Sequence, residues 1–320
     1  MMFKCGDSQL RISVNLWPYI TIIEVIPMRF DITALYCCLD DFTQIYDEWA
    51  RHHLIGTVGQ RRRDGKLSLS EMLLIMILFH TGNARNFKTF YHYDMQYLHR
   101  GLFKELPSYE RFVVLQKRLL LPLTLLLMML TKQTTRDGVY VIDTTALRVC
   151  DNKRIKRHKV FAGLAKRSKT TMGWFFGFKL HLVINRHGEI VAVKLTPGNA
   201  DDRAPMLNVT EGLAGILLAD KGYISKEKFQ ALWKKGLKML LGIRKNMKNY
   251  LMPIYEKLLL RKRFIIETVI GVLKEQMGMV HTRHRSVENA FVHIISCLVA
   301  YCFRKNKTKI RNANSKYQIT

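Results

Sequence analysis

Acidic residues are scarce in this chain: 25 Asp and Glu stand against 52 Lys and Arg over 320 residues, a formal net charge of +27. That balance predicts a polyanionic partner, nucleic acid first of all. A basic membrane-surface protein would gather its Lys and Arg on one face of an amphipathic helix, whereas here they are scattered along the chain. Cysteine pairs at zinc or redox spacing are also missing. Cys5, Cys37, Cys38, Cys150, Cys297 and Cys302 include no C-x-x-C, and several lie in apolar segments where a thiol behaves as a small hydrophobe. A reduced, cytoplasmic chain is expected. No apolar run reaches the length of a membrane span: the strongest, "LLLPLTLLLMML" at 119–130, falls short of the roughly 20 residues a bilayer needs and reads as a buried core helix. Residues 1–27 lack a basic segment followed by a clean apolar core, so no signal peptide is expected. With 48% hydrophobic and 24% charged residues the chain is globular rather than disordered.

The pattern divides the chain into four parts. Residues 1–27, with few charges and breaks at Pro18 and Pro27, read as an N-terminal extension, and Met28 opens the next part. Residues 28–133 are helical and read as a DNA-binding region, with a plain helical support domain as the alternative. "ITALYCCLDDFTQIYDEWA" places Ile32, Leu35, Leu39, Phe42, Ile45 and Trp49 at three-to-four spacing. After the basic loop "QRRRDGK", Ser68 and Glu71 stand at capping-box spacing, and "SYERFVVLQKRL" supplies another helix start at Ser108. From 134 to 305 strands appear: "VYVID", then a hairpin meander in "FFGFKLHLVIN" and "IVAVKLTPGN", then helix and strand in alternation through "DRAPMLNVTEGL", "GILLAD", "SKEKFQALWKKG" and "LKMLLGI", and helices near 253–278 and 286–304. This predicts a mixed sheet flanked by helices. Residues 306–320 read as a basic tail.

Three acids interrupt or end apolar elements, where an ionised carboxylate costs several kcal/mol unless it is paired. Asp143 follows "VYVI", Asp220 ends "GILLAD", and Glu267 lies in "RKRFIIETVIGVLKE". Carboxylates gathered at adjacent strand ends and on a facing helix call for a cation. Hard oxygen donors select Mg²⁺, with Mn²⁺ able to substitute. Two such ions about 3.5–4 Å apart serve phosphodiester chemistry, Asp143 being shared and Asp220 and Glu267 each holding one. On a helix turning about 100° per residue, Arg263, Glu267, Gly271 and Lys274 share one face, a stripe suited to phosphates. An intrahelical Arg263–Glu267 pair is the competing explanation of that spacing.

The order Asp, Asp, Glu on strand, strand and helix resembles the DDE transposases of the ribonuclease-H-like superfamily. Arg263-x3-Glu267-x6-Lys274 is similar to the R-x3-E-x6-K signature of bacterial insertion-sequence enzymes; the Tyr that often precedes it by three residues is Leu260 here. "VIDTT", "KRIKRHKVFAGLAKRSKTTMGWFFGFKLHLVIN", "LTPGNADDRAP", "ADKGYIS" and "TRHRS" resemble the insertion sequence 982 family, over Met28 to Arg304. The resemblance implies a ribonuclease-H-like α/β fold and metal-dependent cleavage at terminal inverted repeats. It further implies 3′-OH strand transfer into double-stranded target DNA, two Mg²⁺ ions, a homodimer on DNA, no membrane, and a place in the bacterial nucleoid. A nuclease of the same fold without strand transfer, and a non-catalytic DNA-binding protein, are the alternatives.

Other residues invite rival assignments. Asp201 and Asp202 could claim the second-acid role, but their place before a helix suits capping. His181 reads as part of a polar strand face near DNA. His281 and His284 have metal-like spacing without an acidic partner and read, with Arg283 and Arg285, as phosphate contacts. Lys153, Arg154, Lys156, Arg157, Lys166 and Arg167 form a basic segment after the first strand, where backbone phosphates are the expected partner.

Overall fold

The computed structural model describes residues 31–53, 65–82, 84–171, 173–242, 252–281 and 283–310. The expected extension at 1–27, most of the loop "QRRRDGK" and the tail beyond 310 lie outside the described residues. Those described form two compact units, one built from residues 131–272 and 306–310, the other from 31–130 and 273–305.

The first unit is a six-stranded mixed sheet. Its strands are β1 (Val139–Cys150), β2 (Lys166–Thr170), β3 (Gly173–Asn185), β4 (Ile190–Pro197), β5 (Gly215–Ala219) and β6 (Leu237–Leu241). The order runs β2-β3-β1-β5-β6, with β4 also paired to β3. β1 and β3 are antiparallel, as are β3 and β4, whereas β5 runs parallel to β1 and β6 parallel to β5. This is the ribonuclease-H-like arrangement expected. β3 shares one edge between two partners: Gly173–Gly177 pair with β2 and Phe178–Ile184 with β4. At the junction Gly198 N–H donates to Gly177 O at 2.9 Å. Gly177 also lies so close to β1 that a Cβ there would fall 2.0 Å from Leu147 O, so no other residue fits without moving the strand.

The helices of this unit cover the sheet: α6 (Met206–Val209), α7 (Lys226–Lys234), α8 (Ile254–Arg261) and α9 (Ile265–Gly271). Met206, Val209 and Leu232 from α6 and α7 close over Tyr140, Ile142, Val183, Leu217 and Met239. α9 packs on β1 through a face containing Ile265, Ile266 and Val269, all buried. The expected helix at 202–213 shrinks to the four residues of α6. The expected long helix at 253–278 is broken into α8, a 3-10 turn at Lys262–Phe264, α9 and a π-helical turn at Val272–Gln276.

The second unit is helical. It contains α1 (Ile32–His53), α2 (Leu69–Thr81), α3 (Phe87–Thr89) running into a π-helical stretch at Phe90–Leu98, α4 (Tyr109–Gln116), α5 (Leu120–Lys132) and α10 (Val287–Phe303). The capping box at α2 is present. Glu71 N–H donates to Ser68 Oγ at 3.1 Å, and Ser68 N–H donates to Glu71 Oε2 at 2.6 Å. α2 is buried all round, and α10 packs on it with Val292, Ile295, Leu298 and Val299 inside. A helix apolar on every side must be buried on every side, which is why α10 belongs here. By compactness, residues 131–272 and 306–310 go with the sheet and residues 273–305 with the helices. α4 and α5 are joined by a 3-10 turn into one helical stretch, Tyr109–Lys132, long and apolar enough by length and composition to cross a membrane, and thus longer than the apolar run alone. Its Phe112, Leu119, Leu123 and Leu126 are fully buried in the protein. Cys37, Cys38, Cys150 and Cys297 are free thiols.

Candidate active site

The interior of β1, the end of β5 and one helix carry the three acids. Side chains alternate across a strand, so Tyr140 and Ile142 enter the core beneath α6 and α7 while Val141 and Asp143 face the other way. The parallel ladder between β1 and β5 ends at Val141 and Leu218. Asp143 lies two residues past that point on one chain segment and Asp220 two residues past it on the other. The two carboxylates therefore stand at one level beyond the C-terminal end of β5, where α/β sheets place their ligands.

Asp143 is half-buried, and its Oδ1 accepts the Thr144 N–H at 2.8 Å. Burial pushes its carboxyl up to about 6. The Thr144 N–H and the Arg263 guanidinium work against that rise, and the charges of Asp220 and Glu267 add to it. All three acids are thus within electrostatic reach of one another. Arg263, in the 3-10 turn before α9, stands between the two exposed ones. Its Nη2 is 3.6 Å from Asp220 Oδ1 and 3.6 Å from Glu267 Oε1. The intrahelical pair weighed against a phosphate stripe is therefore present, with Asp220 as a third member. The regular helix assumed for that stripe is not. Lys274 lies in the π-helical turn, in the second unit, so the count of about 100° per residue does not carry from Arg263 to Lys274.

Among the described residues no three Asp, Glu, His or Cys side chains stand close enough to hold one ion. The donor set still suits a hard divalent cation. It is all carboxylate oxygen, with no thiolate, and like charges raise Asp143, a conflict that a divalent ion would reverse.

The basic residues occupy several places. Lys153, Arg154, Lys156 and Arg157 line an exposed 3-10 turn, Asn152–Arg157, and Asn152 Nδ2 donates to Trp174 O at 2.8 Å, tying that turn to β3. Lys166 and Arg167 lie exposed on β2, a strand that sequence patterning read only as basic loop, and the Arg167 guanidinium sits 4.6 Å over the Trp174 ring. Arg283 and Arg285 are exposed in the second unit.

Three assignments change. Asp202 does not cap a helix: it pairs with Lys179 Nζ at 2.9 Å, and Asp201 closes a local turn by accepting Arg203 N–H at 2.9 Å. His181 is fully buried rather than on an open polar face. Its Nδ1 is 2.8 Å from Thr144 Oγ1, its Nε2 is 2.8 Å from Thr196 Oγ1, and burial lowers it to about 4. His281 and His284 turn toward the buried His293, with rings 5.8 and 5.2 Å from it, instead of outward. Sequence reasoning missed Tyr223, whose hydroxyl lies 2.5 Å from Thr144 Oγ1. The signal available was its position three residues after Asp220, in "ADKGY".

Residues 133–287 match the family model of the transposase DDE domain. The stretch so matched includes Asp143, Asp220 and Glu267. None of the curated proteins matches the chain. Among solved structures, the chain is similar to the piggyBac transposase synaptic complex with hairpin DNA, at 9% identity over 76% of this chain and 68% of that one, with a TM-score of 0.46. It is also similar to the Mos1 strand transfer complex, at 11% identity over 88% of this chain and 97% of that one, with a TM-score of 0.28.

Proposed function

We propose that this protein is an insertion-sequence transposase of the insertion sequence 982 type. It cleaves DNA at the element's terminal inverted repeats and joins the freed 3′-OH to target DNA. The observation that supports the reading is that Asp143, Asp220 and Glu267, carried by three separate elements, lie within electrostatic reach of one another, with one arginine between two of them. Asp143, at the centre, would be shared between two Mg²⁺ or Mn²⁺ ions, with Asp220 and Glu267 holding one each. When bound, such ions activate a water or 3′-OH and stabilise the leaving oxygen. The chain itself supplies the rest. Thr144 N–H holds the Asp143 carboxylate in one orientation. Arg263 neutralises Asp220 and Glu267 in the DNA-free protein and is placed to turn to a phosphate when they take a cation. No covalent protein–DNA intermediate is required. DNA with pre-cleaved 3′-OH ends tests the reading: a transposase gives joined product, whereas a nuclease of the same fold gives none. Inverted repeats flanking the gene are the companion expectation, with a homodimer holding the two ends.

The basic segment has its own test. Lys153, Arg154, Lys156 and Arg157 are exposed and close in sequence to the end of β1, and each phosphate contact contributes about 0.9 to the slope of log affinity against log salt. Replacing all four by Ala is expected to flatten that slope by roughly 2–4, measured by fluorescence anisotropy on duplex DNA. An unchanged slope removes the segment from the interface. Lys166, Arg167, Lys274, Arg283 and Arg285 are proposed as further phosphate contacts on the same grounds of charge, and the first two and last two are exposed.

A further inference from the structure

The β1–β5 ladder stops two residues short of both strand-borne acids, so backbone pairing does not set the distance between Asp143 and Asp220. A series of side-chain hydrogen bonds spans the gap from the opposite face of the sheet. Tyr223, buried in the core, closes the 3-10 turn that Asp220 opens, its N–H donating to Asp220 O at 3.0 Å. Its hydroxyl meets Thr144 Oγ1 at 2.5 Å. Thr144 is the residue whose N–H holds the Asp143 carboxylate, and its Oγ1 also meets His181 Nδ1, on the strand paired antiparallel to β1. His181 Nε2 ends the series on Thr196 of β4. A neutral imidazole has one donor and one acceptor nitrogen, so the four groups can form one directed series: Tyr223 O–H to Thr144, Thr144 O–H to His181, His181 Nε2–H to Thr196.

We infer that Tyr223 is a positioning residue: through Thr144, with His181 and Thr196 as anchor, it fixes the separation between the stretch of β1 that carries Asp143 and the end of β5 that carries Asp220. The inference rests on the proposed role of those acids. Tyr223 touches none of the reacting atoms. It ties the turn after β5 to β1 where the ladder no longer does, and the buried network holds Thr144 from both sides.

The tests use the full chain. Tyr223→Phe keeps the ring in the core and removes only the hydroxyl. DNA cleavage at saturating DNA is expected to fall roughly 10- to 100-fold, because a small misplacement of a ligand-bearing segment is expensive. Affinity for duplex DNA is expected to stay within about twofold, since no phosphate contact is removed. Thr144→Val is expected to match that loss. Thr144→Ser, which keeps the hydroxyl, is expected to recover most of the rate, a rescue that a purely packing role for Thr144 would not give. Amide exchange at Thr144 is expected to quicken in Tyr223→Phe with no DNA or metal present. Wild-type cleavage by Tyr223→Phe overturns the inference, as does a loss of rate matched by an equal loss of DNA binding. If the unaltered protein cleaves no DNA with Mg²⁺ or Mn²⁺, it is the functional reading that falls; unaltered exchange at Thr144 in Tyr223→Phe then separately removes the tie between β1 and the turn after β5.

Discussion

Asp143→Asn is expected to leave a folded protein that binds DNA and does not cut it. The substitution keeps the side chain's size and its acceptor oxygen for the Thr144 N–H, but removes the charge that two divalent ions would share. Metal-borne stabilisation of a transition state is worth several kcal/mol, so single-turnover cleavage of an end-containing duplex should drop by about 10³-fold or more. Stability is expected to move the other way. In the DNA-free protein the Asp143 carboxylate is pushed up to about 6 by burial and by two neighbouring acids, so its ionised form at neutral pH works against folding. The neutral amide should raise the urea midpoint, through an unfolding free energy larger by on the order of 1–3 kcal/mol. Wild-type cleavage by Asp143→Asn would remove the proposed chemistry entirely, and a lowered midpoint would remove the electrostatic account of the site.

Mild acid is expected to destabilise the helical unit through its buried histidines. Four histidines meet there. The rings of His80 and His293 are 4.8 Å apart, those of His281 and His284 4.9 Å, and His284 is 5.2 Å from His293. His80 is held by Met277 O and Ser296 Oγ at 2.8 and 2.9 Å, and His293 Nε2 donates to Gly278 O at 2.9 Å. Burial lowers His80 and His284 to about 4 and takes His293 well below its usual range. Burial and the nearby Arg283 lower His281 as well. The unfolded chain therefore binds more protons than the folded one between about pH 6.5 and 4, and stability falls with pH through that window. A shift of the size seen for His80 corresponds to about 3 kcal/mol once both states are past their pKa values. The group is coupled, so the four contributions do not add. Asp143 opposes the trend, gaining stability below about pH 6. The net expectation is a urea midpoint, followed by helical circular dichroism, clearly lower at pH 5 than at pH 7.5. Equal midpoints at the two values would show that the cluster stays neutral at no cost or lies open to water.

The parts of the fold readable from sequence were those with a strong local signature. The capping box at Ser68, the Ser108 start of α4, and the strands β3 and β5 all appear where their patterns place them, though β3 is buried on both faces rather than alternating. The three acids stand out in the sequence because each ends or interrupts an apolar element, although only Asp143 is half-buried and Asp220 and Glu267 are exposed. What escaped were features decided by tertiary contact. β2 carries five residues, none apolar, and exists because β3 has a free edge for it. The break between α8 and α9 leaves no mark in composition, yet it brings Arg263 to both Asp220 and Glu267. His181 looked like part of a solvent-facing pattern because Lys179 precedes it by two, but Lys179 itself is turned to Asp202 and Ala200 O. The allocation of α10 to the helical unit depends on which apolar surface it covers, and a helix apolar on all sides does not say.

The position of β2 at the rim of the sheet has a consequence for how its charges are assayed. Its outer backbone is a ready template for another chain, and Lys166, Arg167 and Lys169 stand where such charges keep foreign strands away. Neutralising them to weaken DNA binding would at the same time uncover a surface for self-association. Loss of soluble, monodisperse protein is then the first reading to make of such variants, ahead of any loss of contact with nucleic acid.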